Sequence, residues 1–156
     1  KTLWLWLSKL YMAQNSLNEA EMAARSASDM DELDPQVWYR LGRTLEAQGK
    51  TQDAIESYES GLDLDPCHPG CNLGLSRKWL LLARSSQPTE SPASLLGRAL
   101  SHAKACLRSQ PSNHKALSLV AEICKDSGLE DEASRYFLAA LAAKETAPLM
   151  YISWFR

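Results

Sequence analysis

One phrase of the chain returns at a spacing of 34 residues, and that period dictates the architecture. The phrase is Trp38-Tyr39-Arg40-Leu41-Gly42, followed by Gly49, Ala54, Tyr58, Gly61 and Pro66. With Pro35 as position one, it sets a bulky residue at position four and Leu-Gly at seven and eight. Alanine follows at twenty, an aromatic at twenty-four, a small residue at twenty-seven and proline at thirty-two. One period earlier, Lys1 leads to Trp4, Leu7, Ser8, Tyr11, Ala20, Ala24 and Ala27 in matching places. One period later, Pro69 leads to Leu75, Ser76 and Trp79, but the second half of that unit is displaced by 11 residues, to Ala99, Ala103, Cys106 and Pro111. A fourth copy from His114 supplies Leu117, Val120, Ala121, Cys124, Gly128, Ala133, Phe137 and Ala140. Small residues at eight, twenty and twenty-seven let two helices approach closely. Large residues at four, seven, eleven and twenty-four fill the space between them. A single helix pair cannot bury its own apolar face, so successive pairs must stack.

This pattern resembles the tetratricopeptide repeat (TPR). The resemblance implies an all-α fold, a right-handed superhelical solenoid of antiparallel helix pairs. The units read as 1–34, 35–68, 69–113 and 114–147. The third carries an inserted loop around 85–92, Ser85-Ser86-Gln87-Pro88-Thr89-Glu90-Ser91-Pro92, rich in turn formers and poor in apolar residues. Ser91 is placed to cap the following helix, with Pro92 at its first position. Ser91-Pro92 also has the form of a proline-directed phosphorylation site.

Both ends are unusually apolar. Leu3-Trp4-Leu5-Trp6-Leu7 opens the first helix, and an upstream helix is expected to cover it, as in a fragment cut from a longer solenoid. Beyond Pro148, the run Leu149-Met150-Tyr151-Ile152 within 148–156 is expected to cap the array, folding back over the last helix pair, or to dock on another part of the parent protein.

Composition narrows the function classes. Hydrophobic residues make up 45% and charged residues 23%, which excludes a disordered or fibrous chain. The net charge of −2 lacks the basic excess of a nucleic-acid binder. Cys67, Cys71, Cys106 and Cys124 share no tight metal-ligand spacing and read as reduced thiols of a cytoplasmic protein. Cys67-His68-Pro69-Gly70-Cys71, with His102 and His114 elsewhere, falls short of the paired ligands of a zinc site. No cysteine has a base and orienting partner fixed by spacing, and no phosphate-cradling glycine loop occurs. The carboxylates Asp29, Asp31, Glu32 and Asp34 read as a solvated turn. The expectation is therefore a non-enzymatic chain with no cofactor and no metal.

Binding is expected on the first helix of each unit, where positions two, five, nine, twelve and thirteen face the groove of such a solenoid. Position five reads Leu5, Tyr39, Leu73 and Ser118; position nine reads Lys9, Arg43, Arg77 and Glu122. An apolar strip beside a basic ladder suits a peptide or helix bearing acidic groups. The expected groove residues are Leu5, Lys9, Tyr39, Arg43, Leu73 and Arg77. The plainer alternative pairs these cations with groove acids such as Glu46. A third reading has Lys9, Arg43 and Arg77 contacting RNA. TPRs that hold a chaperone's C-terminal carboxylate use Lys and Asn where this chain has Leu5 and Lys9, and basic residues where it has Gly70 and Gly74, so that clamp is missing.

A narrower resemblance is carried by Leu3-Trp4-Leu5, by Glu46-Ala47-Gln48-Gly49, and by Phe137-Leu138-Ala139-Ala140-Leu141 with Ala147-Pro148 and the apolar end. With four units in the same order, the chain resembles the C-terminal region of the tetratricopeptide repeat protein 7 family. The loop of the third unit and the ending Ser153-Trp154-Phe155-Arg156 depart from the family's pattern. The resemblance implies a non-catalytic scaffold of a plasma-membrane phosphatidylinositol 4-kinase complex. Such a scaffold would link the kinase to a palmitoylated anchor and meet a helical, hyccin-type partner near this region. It would reach the membrane only through partners. The alternative is a TPR module that regulates or targets a larger enzyme or an RNA-processing assembly.

Overall fold

The computed structural model describes residues 1–85, 87 and 90–153, with side chains beyond Lys144 left outside the description. Among the described residues there are eight helices and no strands. They are α1 (Thr2–Ala13), α2 (Leu17–Met30), α3 (Pro35–Ala47), α4 (Thr51–Leu64), α5 (Pro69–Ala83), α6 (Pro92–Ser109), α7 (His114–Asp126) and α8 (Glu130–Ser153). The chain forms two compact units, Lys1–Leu75 and Ser76–Arg156, with α5 contributing to both.

In the first unit α1 packs on α2, α3 on α4, and α3 also meets α1 and α2. Alanines make this closeness possible: Ala20, Ala23, Ala24 and Ala27 form one buried stripe of α2. Facing it, Val37, Leu41 and Leu45 are the apolar stripe of α3, and Ala54, Ile55 and Tyr58 that of α4. Ser8 is fully buried on α1, its hydroxyl 3.5 Å from that of Thr44. The reversals between paired helices need a residue in the left-handed region. Asn15 (φ 60°) and Gly49 (φ 78°) supply it at the same repeat position. Asp34 starts α3 by accepting the Gln36 amide at 2.9 Å, with Pro35 directly after it.

In the second unit α7 packs on α6 and α8. The buried Ser76 hydroxyl donates to the Ala99 carbonyl at 2.6 Å, tying α5 to α6 at two of the small-residue positions. Leu95, Ala99, Ala103 and Cys106 are the buried stripe of α6, and Leu117, Val120, Ala121 and Cys124 lie on that of α7. Ser91 caps α6 by accepting the Ser94 amide, and Asn113 caps α7 by accepting from Lys115 and Ala116. Gly128 (φ 81°) repeats the left-handed reversal before α8.

Two features bear on the ends of the chain. Trp4 at position four is 38% exposed, and Leu3, Trp6 and Leu10 are exposed with it on α1, in keeping with the expected uncovered face. Trp38 in the same position is half-buried and donates its indole N–H to the Glu32 carbonyl, because α3 has a preceding helix pair against it. The segment after Pro148 does not fold back within the described backbone, since α8 runs on through it to Ser153. The capping contacts expected of its side chains, and residues 154–156, lie outside the described residues.

Candidate partner-binding face

The groove-facing residues expected from position counting fall into different settings. In the first unit, Leu5 is half-buried and Lys9 exposed on α1, while Tyr39 and Arg43 are half-buried on α3. Leu73, on α5, is only 9% exposed and serves packing more than it offers surface. Arg77 belongs to the second unit and is half-buried.

Of these six, the structure brings Tyr39 and Arg43 together. One Arg43 Nη donates to the Tyr39 hydroxyl at 3.3 Å, one helical turn away. The Tyr39 ring is held from several sides. The His68 ring lies 5.5 Å from it and the Tyr58 ring 6.4 Å, measured between centroids. Gly70 leaves the remaining space: a Cβ there would come within 2.6 Å of the Tyr39 ring. Arg40, which position counting did not mark, lays its guanidinium carbon 5.7 Å from the centroid of the same ring. Its signal was present in sequence, as an arginine beside Tyr39 and three residues before Arg43. Burial is the largest influence on Arg40 and draws its guanidinium below the usual arginine value; the Tyr39 hydroxyl opposes this and the Arg43 charge adds to it.

His68 works as a cap, not as a ligand. Its Nδ1 accepts the Cys71 amide at 3.2 Å at the start of α5, and its Nε2 lies 3.2 Å from Oε1 of Gln36. The acceptor role of Nδ1 puts the ring proton on Nε2, which donates to Gln36. Burial lowers the His68 pKa, against the smaller pull of Asp65 and Asp34, which favours this neutral form. Cys71 is fully buried and burial pushes its thiol up to about 12. Among the described residues no group of three or more His, Cys, Asp or Glu side chains is placed to hold a metal. No described helix is long and apolar enough to cross a membrane.

The acids of this face are engaged elsewhere. Glu46 accepts the Tyr58 hydroxyl at 2.7 Å, and Arg43 reaches the Tyr39 hydroxyl. In the second unit, Glu122 at position nine meets Arg84 at 3.3 Å, and Asp126 takes two further bonds from the same guanidinium at 2.6 and 3.1 Å.

Helix pairs with small residues at the crossings, and a polar-aromatic face on a first helix, define the class: an all-α fold of TPR-type helix pairs. The tetratricopeptide repeat family matches it over residues 6–69. The chain is similar to Protein NPGR1 of Arabidopsis thaliana, 26% identical over 146 residues, covering 94% of this chain and 20% of that one. It is similar to Tetratricopeptide repeat protein 7A of Homo sapiens, 26% identical over 151 residues, covering 97% of this chain and 16% of that one. The chain thus spans about a fifth or less of these relatives. Among solved structures, a thermophilic TPR protein of Thermus thermophilus superposes with a TM-score of 0.80 at 24% identity, over 92% of this chain and 74% of that one. The crystal structure of MamA superposes with a TM-score of 0.74 at 20% identity, over 93% and 78%. At these identities the structural likeness speaks for the fold alone.

Proposed function

We propose that this chain is a non-catalytic segment of an adaptor subunit in a plasma-membrane phosphatidylinositol 4-kinase complex. It would act from the cytoplasm and reach the membrane through its partners. The observation that carries the reading is the similarity to Tetratricopeptide repeat protein 7A, which runs through 97% of the chain and so includes every helix pair. A generic repeat match would favour the most regular units, as the family match to residues 6–69 does. The residues that would meet a partner are Leu5, Lys9, Tyr39 and Arg43 in the first unit and Arg77 in the second, and the partner is a peptide or helix with acidic groups.

The test is affinity purification of the full-length parent protein from its own cells, with its partners identified by mass spectrometry. Recovery of a phosphatidylinositol 4-kinase supports the adaptor role. Reproducible partners without a lipid kinase leave a protein scaffold and refute the adaptor role. Recovery that depends on RNA, and is lost on ribonuclease treatment, refutes both. Charge reversal at Arg43 and Arg77, singly and together, then tests the face: the identified partner should bind more weakly and with a shallower salt dependence.

A further inference from the structure

Arg40 and Arg43 are two half-buried cations on one face of α3, and among the described residues neither has a carboxylate partner. Five other cations of the described residues are matched by carboxylates. Lys1 pairs with Asp31 and Asp34, Lys50 and Arg25 with Glu21, Arg84 with Glu122 and Asp126, and Arg98 with Glu90. The contacts that Arg40 and Arg43 do make converge on one neutral group, Tyr39: its ring for Arg40 and its hydroxyl for Arg43. Partly desolvated charge without an opposite charge is unfavourable, and two like charges side by side add to the cost. The folded protein nevertheless holds both guanidiniums in place. Tyr39 is itself fixed by His68 and by the space at Gly70.

We infer that Arg40, Tyr39 and Arg43 form an oxyanion clamp, which takes an acidic group of a bound peptide. The inference rests on the partner-binding reading above and names the subsite that anchors the partner. Guanidiniums match oxyanions by planar, paired N–H donation, and two of them match either two adjacent carboxylates or one dianionic phosphate. The Tyr39 hydroxyl, which accepts from Arg43, keeps its own proton to donate to the same anion.

The test follows the arginine Nε–Hε resonances of the 156-residue chain by NMR, as inorganic phosphate is added at constant ionic strength balanced with chloride. Saturable shifts are expected at Arg40 and Arg43, with only linear drift at the exposed Arg108 and Arg135. The same titration uses an acetylated hexapeptide with two adjacent glutamates, its phosphoserine counterpart and its glutamine counterpart. The two anionic peptides should saturate, the tighter one naming the source of the anion, and the glutamine peptide should not. Arg40→Gln and Arg43→Gln should each weaken the anionic peptides at least tenfold, and Arg135→Gln, exposed on α8, should leave them unchanged. Tyr39→Phe, which keeps the packing, should weaken them less. Linear drift at Arg40 and Arg43 in the unaltered chain, or equal saturation by the glutamine peptide, overturns the clamp even where a variant fails to fold. Loss of the clamp would leave partner binding standing, because that is decided by the purification.

Discussion

The Tyr58 hydroxyl donates to Oε2 of Glu46 across 2.7 Å, while the Tyr58 ring is fully buried between Gly42 and Gly74. A Cβ at Gly42 or at Gly74 would come within 2.6 Å of that ring. The two glycines therefore serve one aromatic side chain from two helices. Gly42→Ala and Gly74→Ala should each lower stability by about 1–3 kcal/mol through overpacking. Tyr58→Phe should cost about 1–2 kcal/mol, since it leaves the ring seated but removes a hydrogen bond to a carboxylate. Chemical unfolding of the three variants checks both values. A Gly74→Ala variant as stable as the parent would show that the ring can move aside.

The helix reversals at Asn15, Gly49 and Gly128 are left-handed for a reason that can be separated from packing. A Cβ at Gly49 or Gly128 would meet nothing within 4 Å, so any penalty there is conformational. Gly49→Ala and Gly128→Ala should each cost about 1–2 kcal/mol. Gly49→Asn should recover part of that loss, because Asn15 already adopts φ 60° at the equivalent position. Denaturant midpoints at constant slope would measure the order glycine, asparagine, alanine.

The helix pairs were legible because their determinants are local and periodic: small residues at the crossings, large ones between them, and Ser91-Pro92 at the start of α6. The site was less legible. Counting positions marked Tyr39 and Arg43, but also Leu73, whose exposure depends on how closely neighbouring side chains fill in around α5. Arg40 was passed over because its role comes from wrapping a flexible side chain onto the Tyr39 ring, which register alone does not give. Gly70 and Gly74 read in sequence only as missing clamp residues; the structure shows that each makes room for a tyrosine. Phe137 shows the reverse failure. It occupies the same repeat position as the fully buried Tyr58, yet is 38% exposed, because no described helix follows α8 to enclose it.

Acid should weaken the fold in two stages. Burial holds the folded His68 below its ordinary 6.5, and the neutral ring caps α5 through Nδ1. The stability this gives is present above that ordinary value and is lost as pH falls below it, because the unfolded chain takes up the proton first. His102, also lowered by burial, acts in the same direction. At Glu21, burial would raise the carboxyl, but Lys50, Arg25 and Gln48 together outweigh it and bring the pKa from 4.5 to about 2. That contribution is full above 4.5 and disappears as pH approaches about 2. Thermal midpoints should therefore decline from about pH 7 to about pH 5, and again in stronger acid. His68→Asn keeps a side-chain acceptor at the cap, as Asn113 does for α7, and should flatten the first decline. Glu21→Gln should flatten the second. An unchanged first slope in His68→Asn would assign it to His102.

Thiol chemistry should distinguish the four cysteines. Cys67 is exposed in the turn before α5, while Cys71, Cys106 and Cys124 are buried and none is in a disulfide. Burial raises all three buried thiols, Cys71 to about 12. Thiolate is the reacting form, so at neutral pH the buried sulfurs are slow both for want of access and for want of charge. A chromogenic disulfide reagent should label one thiol rapidly in the folded chain and all four in denaturant. Cys67→Ser should remove the rapid phase. A second fast thiol in that variant would mean that one of the buried positions opens on the timescale of labelling. Cys71 is the least expected to do so, because its sulfur fills the space a Cβ would take at Gly61, only 2.6 Å away. Releasing it would require α4 and α5 to separate, so its labelling rate should follow global unfolding and rise with denaturant in step with it.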